Sequence, residues 1–334
     1  MRSRAVDSLR YICCPLCGGT LDGGDPGRYR CARCAQAFPV IRGIVDLRPR
    51  PPEPMGEDVT SILSRFDHCS SEELIRGGLG AAGLPSDVED LHLGYELLGE
   101  ARGTERLERI LRFAGDGVDP SGIALDIGCG MGGSTHALAR RFQWTVGIDV
   151  SLVKLIVAQK RCQEAGLGNV TLICASAEAL PFADGAFPVI NATDVVEHVP
   201  RPRLFLREGY RVLQPGGCFC FNAPNRFNIF GPEPHVNLWG VGFMPRRWMP
   251  AYVRLFKGMD YTDKRLPSYR ELRRMLRETP GSHYSILGTA IRRSSPRKGW
   301  KHRLAFRFPV LVTLANRWLK PFVPQYEVVV RKPK

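Results

Sequence analysis

The sequence contains no apolar run long enough to cross a membrane, because Arg or Pro interrupts every hydrophobic stretch well short of the ~20 residues that a spanning helix needs. The first ten residues are polar and basic and have no apolar centre, which argues against a secretory signal peptide. No internal repeat is evident. We therefore expect a cytoplasmic protein whose 11 cysteines stay reduced, and not a secreted protein held by disulfides.

Length and composition leave room for one sizeable domain and a small one. The chain has 334 residues, of which 44% are hydrophobic, an ordinary content for a globular protein. Residues 48–60 are rich in proline and have little to bury, which is typical of a semi-rigid linker. This linker would separate a module at residues 1–47 from a larger domain at residues 61–334.

A glycine-rich turn between a strand and a helix is the most informative feature. Residues 123–127 form a short apolar run, typical of a buried parallel strand, and Gly128, Gly130 and Gly132 follow it. Glycine lets the backbone approach a ligand without a Cβ in the way. The next predicted strand ends at Asp149, about 20 residues further on, where an acid can hold the hydroxyl pair of a ribose. A nucleotide-containing ligand is the first hypothesis.

Two classes of cofactor use such a turn, and Asp126 distinguishes them. Gly128, Gly130 and Gly133 also satisfy GxGxxG, a pattern of sites for NAD or FAD. A carboxylate just before the turn would oppose the anionic pyrophosphate of a dinucleotide, whereas it suits the ammonium group of S-adenosylmethionine. The balance favours S-adenosylmethionine.

Five segments resemble class I S-adenosylmethionine-dependent methyltransferases in order and spacing, over about residues 100–225. They are Leu125-Asp-Ile-Gly-Cys-Gly130, Gly147-Ile-Asp149, Ala177-Glu-Ala-Leu-Pro-Phe182, Asp194-Val-Val-Glu-His198 and Leu213-Gln-Pro-Gly-Gly217. The resemblance implies a doubly wound, Rossmann-like α/β sheet, mostly parallel, with an antiparallel last strand.

The resemblance also implies the residues that contact the cofactor. Asp126 and the backbone of residues 128–132 would hold the methionine end, Asp149 the ribose, and Ala177 with Glu178 the adenine. The full set of expected cofactor residues is Asp126, Gly128, Cys129, Gly130, Gly132, Asp149, Val150, Ser176, Ala177, Glu178 and Thr193.

The chain departs from the family pattern at two positions. Ser176 stands where the family commonly has an acid that contacts the adenine, which leaves that hydrogen bond in doubt. Pro188 stands where an Asp is common, and it predicts a locally altered fourth strand rather than lost cofactor binding.

Two CxxC pairs near the N-terminus predict a metal site. Cys14, Cys17, Cys31 and Cys34 have the ligand spacing of a tetrahedral structural zinc site, in which four thiolates leave no open position for catalysis. Cys13 is adjacent, but Cys14 keeps the register of the pair. A disulfide arrangement is the alternative, and it fits a reducing compartment less well.

The residues after the cysteines, 38–47, resemble small zinc-ribbon proteins that activate some methyltransferases. A zinc module before a methyltransferase domain is also the layout of bacterial ribosomal RNA guanine-N1 methyltransferases, whose last ligand is usually a His and not a Cys as at Cys34. The module alone does not choose the substrate.

The larger domain has the pattern of alternating strands and helices. We expect cap helices over residues 61–114, with breaks at Gly77-Gly78 and Gly80, and an insertion at about residues 224–267. The other predicted elements after the third motif are strands at 189–193, 218–222, 285–292 and 326–331 and helices at 203–213 and 268–278.

Three residues at the predicted end of the fourth strand are candidates for chemistry. Asp194, Glu197 and His198 would lie at the carboxyl edge of the sheet, where open α/β sheets bind ligands. His198 is the first candidate for a general base, since its reference pKa suits proton abstraction. The alternative is that Glu197 and His198 merely cap the following helix.

The insertion supplies one further candidate. His235 lies in a segment dense in Asn, Pro and aromatic residues, as a loop that faces a ligand would be. With Glu197 and His198 it could complete a divalent metal site resembling that of small-RNA 2′-O-methyltransferases. A buried, hydrogen-bonded histidine is the simpler interpretation.

The formal net charge of +14 is concentrated partly near the C-terminus. Over about residues 296–320, basic residues alternate with Trp, Phe, Leu and Val, which is more typical of an amphipathic segment on an anionic membrane or a lipid-like substrate than of an RNA-binding stripe. Peripheral membrane association is therefore one hypothesis, and a basic helix packed on the sheet is the alternative.

Three functions remain open. The first is methylation of a small or lipid-like acceptor on oxygen, nitrogen or carbon, since the last two motifs most resemble biosynthetic enzymes. The second is RNA methylation, although the chain lacks a recognisable nucleic-acid module and an Asn/Asp-Pro-Pro-Tyr motif at the fourth strand. The third is a zinc-ribbon scaffold without enzyme activity.

Overall fold

A computed structural model describes residues 12–25, 27–48, 59–114, 119–279, 281, 283–288 and 307–334. Most of the predicted linker, residues 49–58, lies outside these ranges. So do residues 296–306 of the predicted membrane segment and residues 289–292 of a predicted strand.

Eleven strands within the described ranges form one sheet with the order β1-β2-β3-β4-β7-β6-β5-β8-β9-β11-β10. They are β1 Leu21–Asp25, β2 Arg28–Cys31, β3 Ala37–Ile41, β4 Ile44–Asp46, β5 Ile123–Ile127, β6 Trp144–Asp149, β7 Val170–Cys174, β8 Phe187–Ala192, β9 Leu213–Pro224, β10 His283–Leu287 and β11 Gln325–Arg331. From β4 to β9 all neighbours are parallel, and β11 lies antiparallel between β9 and β10. Within the larger domain, the mostly parallel α/β sheet with an antiparallel last strand is confirmed.

Helices flank the sheet. They are α1 Val59–Arg65, α2 Ser71–Ala81, α3 Ser86–Leu97, α4 Gly99–Ala114, α5 Gly133–Ala139, α6 Leu152–Glu164, α7 Pro202–Val212, α8 Met249–Lys257, α9 Tyr269–Arg277 and α10 Pro309–Trp318. Short 3₁₀ helices lie in the C-terminal half of the chain at Val241–Phe243, Arg246–Trp248 and Lys320–Phe322.

Strand β5 shows why its apolar sequence forms the centre of the fold. Ala124 packs in a cluster with Leu107 of α4 and Leu138 of α5, whereas Leu125 packs with Phe205 of α7 and Leu272 of α9. Successive side chains of a strand point to opposite faces, so helices cover both faces of the sheet. Each such fully buried side chain of Leu or Phe contributes roughly 1.5–3 kcal/mol to stability.

Helices lie in the region predicted for the cap helices, but the prediction that they are interrupted at Gly77-Gly78 and Gly80 is wrong. Helix α2 runs through Gly77, Gly78 and Gly80, because a capping box between Ser70 and Glu73 starts it and buried apolar side chains fix its first turns. A Cβ at Gly77 would lie 2.5 Å from the guanidinium of Arg65, the far end of a flexible side chain that can move aside.

The N-terminal module continues the main sheet. Strand β4 pairs in parallel with β7, with Val45 opposite Ile173 and Asp46 opposite Cys174. The preceding strands β1, β2 and β3 extend the sheet outward as antiparallel hairpins. The module is therefore joined to the larger domain by backbone hydrogen bonds.

The fourth parallel strand, β8, is locally irregular at the predicted proline. The register between β8 and β9 shifts between Phe187 and Val189, on either side of Pro188. Proline has no N–H to donate to a sheet, and it lies opposite a stretch of β9 that carries three additional residues. Strand β9 is also longer than expected, since it begins at Leu213 and includes the predicted turn glycines.

The insertion at residues 224–267 has a small core of its own. Its buried residues are Val236, Val241, Met249, Val253, Tyr261 and Leu266. Among the described residues, no helix is both long enough and apolar enough to span a bilayer.

Candidate functional site

The glycine turn lies at the carboxyl end of β5 and has the left-handed backbone that glycine favours. The φ angles of Gly128, Gly130 and Gly132 are +65°, +52° and +86°. A Cβ at Gly128 would lie 2.4 Å from Val195 Cγ2, whereas a Cβ at Gly130 would meet no heavy atom within 4 Å. One glycine therefore serves packing, and Gly130 borders open space.

Asp126 lies beneath this turn and is only 1% exposed. Thr135 Oγ1 and Asn191 Nδ2 each donate a hydrogen bond to its carboxylate over 2.7 Å. Burial raises the pKa of Asp126 to about 6, although these two hydrogen bonds oppose the rise. The carboxylate thus ties the strands to the start of α5, and its contact with the methionine end of a cofactor stays a prediction.

Asp149 lies across the turn, at the end of β6. The amide of Gly130 donates to Asp149 Oδ2 over 2.9 Å, and the amide of Ser151 donates to Oδ1 over 2.8 Å. The next residue, Val150, is apolar yet 43% exposed. The carboxylate of Asp149 therefore lies beside the open space at Gly130, and the contacts of Asp149 and Val150 with a ribose and an adenine stay predictions.

The segment after β7 is arranged by its own hydrogen bonds. The amide of Glu178 donates to Ser176 Oγ over 3.2 Å, and the carboxylate of Glu178 accepts from the amide of Arg201. Glu178 is therefore engaged with the start of α7, while Ala177 is half-buried. Thr193 Oγ1 lies 3.4 Å from Ser134 Oγ, near the turn.

The four predicted cysteine ligands form one cluster. Cys14 Sγ lies 3.7 Å from Cys34 Sγ, and Cys17 Sγ lies 3.5 Å from Cys31 Sγ. All four sulfur atoms lie within 4.8 Å of one another. A disulfide bond is only ~2.05 Å long, so these cysteines are not paired in that way. Cys13 is not part of the cluster.

Backbone amides favour the thiolate form of Cys31. The amides of Arg33 and Cys34 donate to Cys31 Sγ over 3.4 and 3.5 Å. These hydrogen bonds, with that of Cys34 the stronger, lower the pKa of Cys31 to about 6.

Glu197, His198 and His235 lie together and offer ligand atoms within 4.8 Å of one another, and their chemical role stays a prediction. Glu197 is 1% exposed, and neither of its oxygens has a hydrogen-bond partner within the described residues. Its Oε1 lies 3.6 Å from His235 Nε2. The two imidazole rings meet edge to face with centroids 5.0 Å apart. Helix α7 starts at Pro202 with no side-chain cap, so these residues do not cap it.

Glu233, which the sequence analysis missed, orients His235. Its Oε1 lies 2.6 Å from His235 Nδ1, and its Oε2 accepts from the amide of His235 over 2.8 Å. Burial alone would lower the pKa of His235, but the charges of Glu233 and Glu197 outweigh burial and raise that pKa to about 10. The Glu-Pro-His spacing was the available signal for this pair.

The two histidines differ in charge. His198 is exposed at the cleft, but enough protein surrounds its ring that lost hydration, together with the charge of His235, lowers its pKa to about 4. At pH 7 the imidazole of His198 is therefore neutral, while that of His235 is positively charged.

Asp194 is held in a left-handed conformation with φ +56°. Its amide donates to Asn222 Oδ1 over 2.8 Å, and Asn222 Nδ2 donates back to its carboxylate. Arg102 of α4 lies 3.6 Å from the same carboxylate. These contacts hold the segment after β8 against β9 and helix α4.

Residues 125–221, which carry the turn, Asp149 and the Asp194 segment, match the family model described as a methyltransferase domain. The chain carries a class I methyltransferase domain. The prediction of an S-adenosylmethionine-dependent methyltransferase is confirmed for this domain.

Curated relatives of the methyltransferase domain act on small molecules, by their names. The chain is 39% identical to a ubiquinone biosynthesis O-methyltransferase of Methylococcus capsulatus over 104 residues, 31% of this chain and 44% of the relative. It is 29% identical to the same enzyme of Paracidovorax citrulli over 205 residues, 59% of this chain and 82% of the relative. It is 33% identical to a dimethylglycine N-methyltransferase of Parasynechococcus marenigrum over 141 residues, 41% of this chain and 50% of the relative. For two of these three relatives, the chain spans half of their length or less.

We refer to the surroundings of the glycine turn and Asp149 as the cofactor side, and to those of Glu197, His198 and His235 as the acceptor side, after the roles predicted for these residues. Helix α3 reaches across the acceptor side, because Asp87 contacts Asn237 and Lys257 of the insertion. Sequence reasoning missed this bridge, since Asp87 has no local signal and its partners lie at least 150 residues away.

Proposed function

We propose that the chain transfers the methyl group of S-adenosylmethionine to a small or lipid-like acceptor. The open space at Gly130, beside the carboxylate of Asp149, carries this proposal. A glycine turn after a strand is a common site for a nucleotide. The match to a methyltransferase domain is the reason to expect that this nucleotide is S-adenosylmethionine.

The bound cofactor would supply an electrophilic methyl group on a sulfonium, which an acceptor atom attacks in line. The protein aligns the two partners and excludes water. Asp149 would hold the ribose hydroxyls, and the backbone of residues 128–132 would hold the methionine end. Where the acceptor must lose a proton, His198 receives it, because this imidazole is neutral at pH 7 and His235 is not.

The four cysteines would hold one structural zinc ion. In a tetrahedron with Zn–S bonds of about 2.3 Å, neighbouring sulfurs lie roughly 3.8 Å apart. The observed Sγ separations of 3.5 and 3.7 Å fit this geometry. Four thiolate ligands leave no open position, so this ion would stabilise the module and take no part in methyl transfer.

A divalent metal at Glu197, His198 and His235 is a second candidate for the acceptor side. It is favoured by the buried Glu197 oxygens, which have no hydrogen-bond partner in the described residues, and by Glu233, which holds His235 Nδ1 and leaves Nε2 facing Glu197. Because a protonated imidazole nitrogen cannot bind a metal, His235 would lose its proton as the ion binds, and the ion would then orient an acceptor hydroxyl. Metal content beyond one zinc per chain, lost in Glu197→Ala and kept in Asp194→Ala, is the expected result.

A lipid-like acceptor is supported by apolar side chains exposed beside cations. On α10 and its start, Val310 and Trp318 are 67% and 73% exposed, next to Arg307 and Arg317. No acidic residue occurs between residues 307 and 322. This surface has the chemistry of a helix that lies on anionic lipid, and it extends the proposal to peripheral membrane contact.

The membrane contact has its own test. Trp318→Ser should reduce flotation with phosphatidylglycerol vesicles, whereas Trp144→Phe, at a half-buried position in β6, should not. Equal flotation of both variants would contradict the contact. Retention on RNA that falls steeply with salt would favour RNA as the acceptor instead.

Methyl transfer from labelled S-adenosylmethionine into lipid and small-molecule extracts tests the main proposal. The wild-type chain should label an extracted product, and Asp149→Asn should not, although it should stay folded by circular dichroism. A wild-type chain that fails to bind the cofactor in equilibrium dialysis would leave only a scaffold role for the zinc module.

A further inference from the structure

Arg48, just after the last strand of the N-terminal module, reaches into the cofactor side of the methyltransferase domain. Its Nη1 donates to the carbonyl oxygen of Val150 over 3.0 Å. The residue is the first of the predicted linker and was not among the expected site residues. The contact joins positions 102 residues apart in the chain.

Asp46 holds this arginine in place. Arg48 Nε donates to Asp46 Oδ1 over 2.9 Å, and Nη2 donates to Oδ2 over 2.6 Å. The two side chains are only 12% and 11% exposed. A two-point pair shielded from water fixes the planar guanidinium in one orientation, so its third nitrogen points at a fixed place.

The peptide that Arg48 contacts is also hydrogen-bonded to Asp149, the residue predicted to hold the ribose. The Val150 carbonyl belongs to the peptide whose amide, on Ser151, donates to Asp149 Oδ1 over 2.8 Å. Fixing the oxygen of a planar peptide also fixes its N–H. The orientation of the Asp149 carboxylate therefore depends on the peptide that Arg48 holds.

The same module also contacts the segment on the other side of the expected adenine. The amide of Cys13 donates to the carbonyl oxygen of Pro181 over 2.8 Å, and Ile12 pairs with Phe182. The amide of Leu47 donates to the carbonyl oxygen of Cys174 at the end of β7. Both cofactor segments, after β6 and after β7, are thus attached to the N-terminal module.

We propose that Arg48 is a positioning residue for the adenosine half of the cofactor. It acts through the peptide after Val150, which aims the carboxylate of Asp149 at the ribose hydroxyls. The inference rests on the proposed function, because it assumes that S-adenosylmethionine binds at the glycine turn.

Arg42 offers a matched control. Arg42 lies in the N-terminal module, six residues before Arg48. Two of its guanidinium nitrogens donate to the carboxylate of Asp67, outside the module, over 3.2 and 2.6 Å. Its pair leads to the segment after α1 and not to the cofactor side. Arg42→Ala therefore removes an arginine–aspartate contact between module and domain while leaving the Val150 peptide untouched.

The test compares Arg48→Ala, Arg48→Lys and Arg42→Ala by titration calorimetry with S-adenosylmethionine and S-adenosylhomocysteine. Both Arg48 variants should bind both ligands roughly tenfold more weakly, since the ligands share the adenosine and lysine cannot keep the two-point pair. Arg42→Ala should bind like the wild type. With saturating cofactor, the kcat of Arg48→Ala should return to the wild-type value while KM for the cofactor stays raised.

Three outcomes would overturn the inference. They are unchanged affinity in Arg48→Ala, an equal loss in Arg42→Ala, and a loss confined to S-adenosylmethionine. An equal loss in both variants would mean that Arg48 only docks the module. A wild-type chain that binds neither ligand would instead contradict the proposed function, and the two failures are thereby distinguished.

Discussion

The amide of Gly130 donates a hydrogen bond to Asp149 Oδ2 over 2.9 Å, so the glycine turn and the predicted ribose acid are one hydrogen-bonded unit. The acid also accepts from Ser151, which fixes both carboxylate oxygens. A site arranged before its ligand arrives loses less conformational freedom on binding. A change at Gly130 should therefore affect cofactor affinity more than the stability of the fold.

Gly130→Ala and Gly128→Ala should separate binding from packing. A Cβ at Gly130 meets no heavy atom, and its left-handed backbone costs an alanine about 1 kcal/mol, so the protein should fold but bind S-adenosylmethionine at least roughly tenfold more weakly. A Cβ at Gly128 would lie 2.4 Å from Val195 and should lower the melting temperature much more. Calorimetric titration and thermal unfolding measure the two effects. Wild-type affinity in Gly130→Ala would argue against a ligand at the turn.

Asp126 should make stability depend on pH in a predictable direction. Its pKa is raised from 3.8 to about 6, so the folded state holds the proton more tightly than the unfolded state. The stabilisation is complete below pH 3.8 and is lost as the pH rises to about 6, a change of roughly 2–3 kcal/mol. Asn at this position does not titrate.

Urea unfolding of the wild type and Asp126→Asn at pH 4, 5, 6 and 7 measures that change. The difference in unfolding free energy, wild type minus variant, should fall between pH 4 and 6 and then level off. A difference independent of pH would show that the carboxyl group ionises normally.

The bridge between α3 and the insertion should affect the acceptor and not the cofactor. Asp87 Oδ2 accepts from Lys257 Nζ over 2.5 Å and from Asn237 Nδ2 over 3.0 Å, and His92 Nε2 lies 3.1 Å from the carbonyl oxygen of His235. Asp87→Ala should speed hydrogen exchange in residues 86–97 and 235–257 and raise KM for the acceptor.

A matched variant checks this bridge. Asp260 pairs with Arg254 inside the same insertion, and both side chains are exposed. Asp260→Ala should leave exchange in α3 and KM for the acceptor unchanged. Cofactor affinity should not change in either variant, and a loss in Asp87→Ala alone would place the bridge on the cofactor side instead.

Metal analysis of two cysteine variants tests the proposed zinc site. Cys31→Ser should lose the zinc and lower the melting temperature, because Cys31 lies in the cluster and its thiolate is favoured by backbone amides. Cys13→Ser should keep one zinc per chain, since Cys13 lies outside the cluster. Zinc loss in both variants would point to a different ligand set.

The sequence predicted the features that depend on neighbouring residues. The glycines of the turn, the acids in the last two residues of β5 and β6, and the cysteine pairs each lie within a few residues of a strand or hairpin. The register of β8 likewise shifts at Pro188, where a locally altered strand was predicted. Helix α2 was the exception, because buried side chains outweighed the low helix propensity of its glycines.

Contacts between distant segments were not predictable in the same way. The pairing of β4 with β7, the bond from Arg48 to Val150, and the bridge at Asp87 join residues more than 100 positions apart. Each depends on how separate elements pack, and no periodicity or spacing encodes that. Glu233 is the intermediate case, since it lies two residues from a histidine already singled out.

The pairing of β4 with β7 also determines which shorter chains should be usable. An open strand edge presents unpaired N–H and C=O groups, which can pair with a strand of another chain and so promote aggregation. Without residues 1–58, Ile173 and Cys174 would lie on such an edge, and the apolar surface of Phe182 would lose its cover from Ile12. The N-terminal module thus covers an edge of the methyltransferase sheet, and a shorter chain that begins after the proline-rich segment should precipitate rather than yield a minimal enzyme.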